Sequence, residues 1–270
     1  MWQRREKNGI AYYTLPHWAE LGAEVYLSTR LGDISKFPFD GLNMALHVGD
    51  NDEDVLAARR CFMDALSVPH EDFVSIQQTH GKRLCHVTAY DRGRGAIAYD
   101  DAIDDTDGIY TNESDLFMAT FYADCLPLAV FDPVHHGLGL AHAGWKGTFQ
   151  NIGGLLIEEM GQAFGSRPEE MLFAMGAGIM SCCYEVDESF YRRFVEQYPQ
   201  ANQWFTLGQA PEKYMFDNIK ANRDLALSAG ILEEHIDSLD RCTCCHQDEF
   251  YSYRGSGGKC GRHSLAARIR

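Results

Sequence analysis

No stretch of the 270-residue chain approaches the roughly 18 consecutive apolar residues of a membrane span. The first residues, MWQRREKNGIAYYTLPHWAE, are basic at the start but hold no apolar run of signal-peptide length, so a cytoplasmic protein is expected. Positive charge is scarce: 24 Lys and Arg face 39 Asp and Glu, a formal net charge of −15. Non-specific binding to nucleic acid or to an anionic membrane needs a basic surface, so neither is an expected partner. A small anion in a locally basic pocket remains compatible with that charge. Low-complexity tracts, fixed-period repeats and a convincing linker are all lacking, which favours one domain.

Hydrophobic residues make up 45% of the chain, enough for a substantial core, and there are nine cysteines. With no export expected, these read as reduced thiols, mostly packed as small hydrophobes. The segment 50-DNDEDVLAARRCFMDALSVP-69 predicts a helix: acids in the first turn, apolar Val55, Ala58, Phe62 and Ala65, then Pro69. Strands are expected at 73-FVSIQQTH-80, with His80 at its end, and at 116–123, 126–131 and 172–179. Thr148 is expected to cap a helix that Gly165 ends. Further helices are expected from near Asp187 and over Asp217 to Ala229. Residues 200–213 read as a surface loop, and 249–270 as two strands around a Gly-rich loop. Strands and helices mix without strict alternation. The fold class is therefore α+β, with mixed β-sheets packed with helices in a single domain. Nothing in the sequence fixes an oligomeric state.

In 125-CLPLAVFDPVHHGLGLAH-142 two apolar runs flank Asp-Pro-Val-His-His-Gly, the signature of a turn, and together they read as a hairpin. A turn centred between Pro133 and Val134 sets Cys125 opposite His142; a shift of one residue makes them diagonal neighbours. Opposed side chains have Cβ atoms about 5 Å apart, which suits a thiolate at ~2.3 Å and an imidazole at ~2.0 Å from one zinc ion. His80, beside Gly81, could supply a third ligand. Three such ligands leave a fourth position open, the layout of a catalytic site. The cluster 242-CTCCH-246 is taken, by its spacing, as free thiols rather than a zinc knuckle.

The pieces 78-QTHG-81, 107-DGIYT-111, 123-ADCLPLAVFDP-133, 141-AHAGWKGT-148, 182-CCYEV-186 and 251-YSYRGSGGKCGR-262 occur in that order. Together they closely resemble the laccase-domain family, also called polyphenol oxidase-like or YfiH-type, from about Gly41 to the C-terminus. The resemblance implies a metal site of one cysteine and two histidines, falling on His80, Cys125 and His142. It departs from the family at 176-GAGIMS-181, where Gly-Pro-x-Ile-Gly-Pro is usual. It departs again at Lys146 in Trp-Lys-Gly, at Gly255 after Ser-Tyr-Arg, and at Cys260 before Gly-Arg. A substrate-contacting rim different from that of relatives is expected.

The family name suggests copper oxidation of phenols. A trinuclear copper cluster is built from several His-x-His pairs, and this chain has none. One Cys and two His could hold copper, but a blue-copper site also wants an axial ligand such as Met, and Met118 lies seven positions before Cys125. Zinc suits the trio better, with Cu2+ the alternative. The resemblance implies phosphorolysis of adenosine, inosine or 5′-methylthioadenosine, with adenosine deamination besides. Deamination needs a metal-activated water at C6 of the purine and a carboxylate to carry the proton, for which Asp124 and Asp107 are candidates. Phosphate would sit near Lys146, before the expected helix start, with Arg254 and Arg262 closing over it. Asn43 and Gln78 could read base or ribose, and Trp145 or Tyr184 could stack on the purine. Two other chemistries compete: a cysteine hydrolase with Cys125 activated by His142, and a peptidoglycan-precursor editing amidase on the same residues. A non-enzymatic metal- or partner-binding protein is a third class. His80 separates them, since a Cys–His hydrolase has no need of a third ligand.

Overall fold

A computed structural model describes all residues, 1–270. The strands in chain order are β1 (Gln3–Lys7), β2 (Ile10–Thr14), β3 (Ala23–Ser28), β4 (Val74–Ser75), β5 (Leu84–His86), β6 (Gly108–Thr111), β7 (Met118–Tyr122) and β8 (Leu126–Asp132). They continue with β9 (Gly137–Ala143), β10 (Leu172–Met175), β11 (Glu185–Asp187), β12 (Phe205–Leu207), β13 (Lys213–Phe216), β14 (Ile236–Ser238) and β15 (His263–Ile269). The helices are α1 (Pro16–Glu20), α2 (Asp52–Leu66), α3 (Trp145–Phe149), α4 (Ile152–Phe164), α5 (Glu188–Gln197) and α6 (Asn218–Ser228).

Two six-stranded mixed sheets, β1-β2-β3-β15-β7-β4 and β14-β10-β8-β9-β6-β5, face each other; a three-stranded sheet, β11-β13-β12, stands apart. Val25, Leu27, Met118, Tyr122 and Leu265 of the first sheet meet Ala129, Phe131, Leu138 and Leu140 of the second in the main core. Helix α2 covers the outer side of the first sheet, packing Phe62 and Met63 near Phe117 and Phe121. Helix α4 covers the outer side of the second with Ile152, Leu156 and Met160. The result is the expected α+β class, a helix–sheet–sheet–helix stack. No helix is long and apolar enough to cross a membrane.

The run GLGLAH in β9 is explained by this layering. Its odd positions are small, and a Cβ on Gly139 would lie 2.7 Å from Leu156 Cδ1, so the glycine lets α4 sit against the strand. Its even positions, Leu138 and Leu140, point into the core between the sheets, and His142 ends that same face.

Helix α2 starts at Asn51, whose side chain accepts from the N–H groups of Glu53 (2.8 Å) and Asp54 (3.2 Å). Helix α6 is capped by Asp217 and α5 by Asp187, as the sequence signals. Four local expectations change. The strand expected at 73–80 is β4 alone, ending at Ser75, and His80 adopts φ +61. The helix expected from Thr148 is split: α3 ends at Phe149, and Asn151 caps α4, while buried Thr148 donates to Asn218 Oδ1 at 2.8 Å. Residues 200–213 hold β12 and the fully buried Trp204, because this segment closes a small aromatic core with Phe194 and Phe216. Of the two C-terminal strands only β15 forms; 251–262 is a loop held by its polar groups.

Cross-strand Glu24 and Arg268 pair on the central strands β3 and β15. The buried Glu24 carboxylate accepts from Arg268 Nε at 2.7 Å and from Arg270. Burial alone raises its pKa, but the two guanidiniums outweigh that and hold it below the ordinary value. A depressed carboxylate stabilises the fold above its unfolded pKa, and the contribution is lost as pH falls through the folded value. Glu24→Gln should cost about 1–2 kcal/mol at pH 7, and the gap from wild type should narrow as pH falls below the ordinary carboxylate range. Urea unfolding at pH 7 and below that range checks both.

Candidate metal centre

His80, Cys125 and His142 come from three places in the chain and meet at one end of the facing sheets. His142 is the penultimate residue of β9, and Cys125 immediately precedes β8. The hairpin register is Pro127 opposite His142 and Leu126 opposite Ala143. Cys125 is therefore diagonal to His142 rather than opposite it, on the same face. The turn lies one residue later than the sequence suggests, because Asp132 Oδ1 accepts from Val134 N at 2.8 Å and from His135 N at 3.2 Å. Cys125 Sγ lies 3.7 Å from His80 Nε2. The rings of His80 and His142 meet edge-on with centroids 4.7 Å apart. One donor atom from each of the three side chains lies within 4.8 Å of the others.

Asp107 builds this arrangement. It is fully buried and accepts from the N–H groups of Thr79 (3.2 Å), His80 (3.0 Å) and Gly81 (2.6 Å), and from Thr79 Oγ1 (3.1 Å). Its Oδ1 also lies 2.8 Å from His142 Nδ1. That bond fixes the ring so that Nε2 faces the centre, the carboxylate–histidine support common behind metal ligands. Burial raises the Asp107 pKa, but His142 and the backbone donors outweigh it and hold the carboxyl below its ordinary value. Burial likewise raises the Cys125 thiol, yet the two imidazoles bring it down to about 6. Burial lowers His142, but Cys125 and Asp107 lift it to about 9. Both shifts run in the direction that favours a thiolate beside an imidazolium when no metal is bound.

The donor set fits a metal ion. Two imidazoles and a thiolate are the softness zinc or copper prefers, and three protein ligands leave a position open toward solvent. The floor is shaped for it as well: a Cβ on Gly144 would lie 2.9 Å from Cys125 Sγ and 3.0 Å from His80 Cδ2. Only glycine leaves both donors free to close on one point.

The trio opens into a cavity of about 470 Å³. Trp145, Tyr184, Tyr253 and Phe121 supply its apolar walls; Gln78, Asn218, Asp124, Arg254 and Arg262 supply its polar ones. Gln78 is locked, accepting from Phe121 N and donating to Phe121 O, each at 2.8 Å. Arg254 donates to the carbonyls of Cys183 (3.4 Å) and Glu185 (3.2 Å), with its guanidinium 5.5 Å from the Tyr184 ring. Arg262 donates to the carbonyls of Cys260 (2.7 Å) and Gly261 (3.0 Å). Asp124 takes φ +84, which bends the chain just before β8. Its carboxylate sits on the cavity wall and accepts from Thr243 Oγ1, Ser252 Oγ and Arg254 N at 2.6–2.7 Å.

The other expected site residues fall elsewhere. Asp107 is behind the ligands and lines no part of the cavity. Asn43 is fully buried, donating to Asp50 and accepting from the N–H groups of Ala45 and Arg262, so it shapes the loop that carries Arg262. Lys146 is exposed and outside the cavity, with Nζ 5.7 Å from the Trp145 ring; the cations on the cavity are the two arginines. His47, Tyr253 and Asn218 line the cavity and were not singled out by sequence. His47 lies within GLNMALHVGD, where the resemblance begins, and that was its one signal.

Fold and site together define an α+β protein with a His80–Cys125–His142 cluster on a cavity walled by aromatic and polar side chains, two of them arginines. Residues 24–270 match the family model described as multi-copper polyphenol oxidoreductase laccase, and the chain belongs to that family. A Bacillus subtilis protein named purine nucleoside phosphorylase YlmD is 37% identical over 235 residues, which is 87% of this chain and 84% of the relative. A Staphylococcus saprophyticus protein, also named a purine nucleoside phosphorylase, is 27% identical over 90% of each chain. The solved structure of YlmD from Geobacillus stearothermophilus aligns with a TM-score of 0.93 at 35% identity, covering 100% of this chain and 98% of that one. The hypothetical protein YfiH of Bacillus licheniformis aligns equally well, with a TM-score of 0.93 at 33% identity.

Proposed function

We propose that this chain is a zinc-dependent purine nucleoside enzyme. It would cleave adenosine, inosine or 5′-methylthioadenosine with phosphate to give free base and (thio)ribose 1-phosphate, and deaminate adenosine besides. The observation that carries the reading is the cavity itself: three metal donors at its floor, flat aromatic walls, and two arginines at its rim. A purine offers π-faces to Tyr184 or Trp145, and phosphate suits guanidinium groups. The names of the relatives support the same substrate class.

When bound, zinc supplies a Lewis acid and lowers the pKa of a coordinated water to about 7. His80, Cys125 and His142 hold it, and Asp107 keeps His142 aimed. Arg254 and Arg262 bind and orient phosphate from the open side. Asp124, the carboxylate left on the cavity wall, carries the proton in deamination. The apolar walls exclude water from the glycosidic carbon, so that phosphate competes with hydrolysis. Phenol oxidation is disfavoured by its own stoichiometry. Reducing oxygen to water takes four electrons, and the His-containing donor groups form a single trio with no methionine on the cavity to complete a blue-copper set.

One observation favours a second reading. Cys125, His142 and Asp107 form a thiolate–imidazolium–carboxylate series, the arrangement of a cysteine hydrolase or a peptidoglycan-precursor amidase. Chelation separates the two, since it removes the phosphorylase centre but frees the thiolate. Zinc-loaded protein incubated with each nucleoside, with and without phosphate, should give free base and ribose 1-phosphate only when phosphate is present. A phenolic substrate with added copper should give no sustained oxygen uptake. Oxygen uptake without nucleoside products would establish an oxidase instead, and amide cleavage that rises on chelation would establish the hydrolase.

A further inference from the structure

Four cysteines outside the cavity converge. One Sγ each from Cys182, Cys183, Cys242 and Cys245 lies within 4.8 Å of the other three. Cys245 is 3.4 Å from both Cys182 and Cys183. A disulfide would need about 2.05 Å, so none of the pairs is bonded. Four thiolates at about 2.3 Å from one tetrahedral zinc stand about 3.8 Å from each other, inside the observed span. An iron–sulfur cluster would spread its cysteines wider, because its inorganic core lies between them. The cysteines are free thiols, as the sequence suggests, but their convergence is not visible in the spacing for two reasons. Cys242 and Cys245 are themselves separated by two residues, and the other pair lies some sixty positions earlier, beyond the reach of local spacing.

The backbone around the cluster is built to hold it. Cys182 and Cys183 lie on a turn closed by the N–H groups of Cys183 and Tyr184, both donating to Met180 O at 2.9 Å. Cys242 and Cys245 lie on another, closed by His246 N donating to Cys242 O at 3.0 Å. The two loops are zipped together by a bridge between Gly178 and Cys242 and by Thr243 N donating to Gly178 O at 3.1 Å. Met180 N points at Cys242 Sγ from 3.5 Å, an N–H···S contact of the kind that supports a ligating thiolate. Cys242 is buried and Cys183 half-buried, while Cys182 and Cys245 are exposed, so an ion has a path in. Because Cys245 is equidistant from two partners, no one disulfide pairing is favoured, and a pairing would leave two thiols over. One tetrahedral ion satisfies all four and leaves no position open, which makes the site structural rather than catalytic.

We propose that Cys182, Cys183, Cys242 and Cys245 bind a second, structural zinc ion that clamps one wall of the cavity. The two loops it joins carry cavity groups directly. Tyr184 follows Cys183, Arg254 donates to Cys183 O and Glu185 O, and Thr243 holds the Asp124 carboxylate. The proposal stands on these thiols alone and does not depend on the reaction assigned to the cavity.

Protein reconstituted with zinc and freed of excess should hold two ions per chain. Cys245→Ser should hold one, as should Cys125→Ala, and the double variant none. Cobalt substitution gives an independent spectroscopic readout: intense thiolate-to-cobalt charge-transfer absorption should persist in Cys125→Ala and largely vanish in Cys245→Ser. Should Cys245→Ser fail to fold, alkylation of the wild type read by mass spectrometry replaces it. Zinc should then protect Cys182, Cys183, Cys242 and Cys245 together, and a chelator should expose them together. A wild type holding one ion that Cys245→Ser retains would overturn the proposal. Alkylation rates at the four cysteines unchanged by zinc would do the same, as would a disulfide among them in freshly reduced and reconstituted protein.

Discussion

Cys125→Ala is expected to remove metal from the His80–Cys125–His142 centre altogether. The thiolate is the only anionic donor of the three, and it lies 3.7 Å from His80 Nε2 with Gly144 leaving the space between them clear. Two imidazoles that remain give an incomplete, uncharged site. The loss should exceed the 10- to 100-fold weakening typical of disturbing a group behind the ligands. Thermal stability without metal should fall only slightly, because Cys125 is partly exposed by surface area and Asp107 still pairs with His142 once the thiolate is gone. Metal analysis after dialysis reads the result directly. Unchanged stoichiometry in the variant would place the metal elsewhere.

Asp107→Asn should damage both metal binding and the fold. The carboxylate takes three backbone N–H groups, a threonine hydroxyl and the His142 ring at once, and it is wholly buried. An amide presents an NH2 group where an acceptor is needed, so donors would face donors at the His80 turn. Breaking a buried charged arrangement of this kind costs on the order of 3–5 kcal/mol. The His142 ring would also lose its fixed tautomer, weakening metal by about 10- to 100-fold. The contrast with Cys125→Ala is the useful part. One variant loses metal and keeps its stability; the other loses both. If Asp107→Asn kept wild-type metal affinity and melting temperature, Asp107 would not be the support described here.

The legible parts of the molecule were those whose signals are local. The first-turn acids of α2, the span of α6 from Asp217, and the Gly165 stop of α4 all act within a turn or two. The β8–β9 hairpin was legible as well, and its parity put Cys125 and His142 on one face even though the turn sits a residue later. What escaped depends on distant partners. A strand was expected to run to His80, but Asp107, 27 residues on, captures the backbone there and turns it to φ +61. Ser252 and the backbone of Arg254 looked like strand, and they are spent on Asp124, more than a hundred residues away. Lys146 reads as a phosphate ligand because it lies just before the expected helix start at Thr148, yet α3 already begins at Trp145 and the Lys146 side chain is exposed outside the cavity. The convergence of His80, Cys125 and His142 is implied by the resemblance as much as by the residues, and only the geometry shows its glycine floor.

The most direct measurement is formation of ribose 1-phosphate from inosine and phosphate by wild type and Cys125→Ala, each reconstituted with zinc and matched for folded protein. The account predicts phosphate-dependent product from the wild type and none above background from the variant. Equal product from both, or none from either, would contradict it.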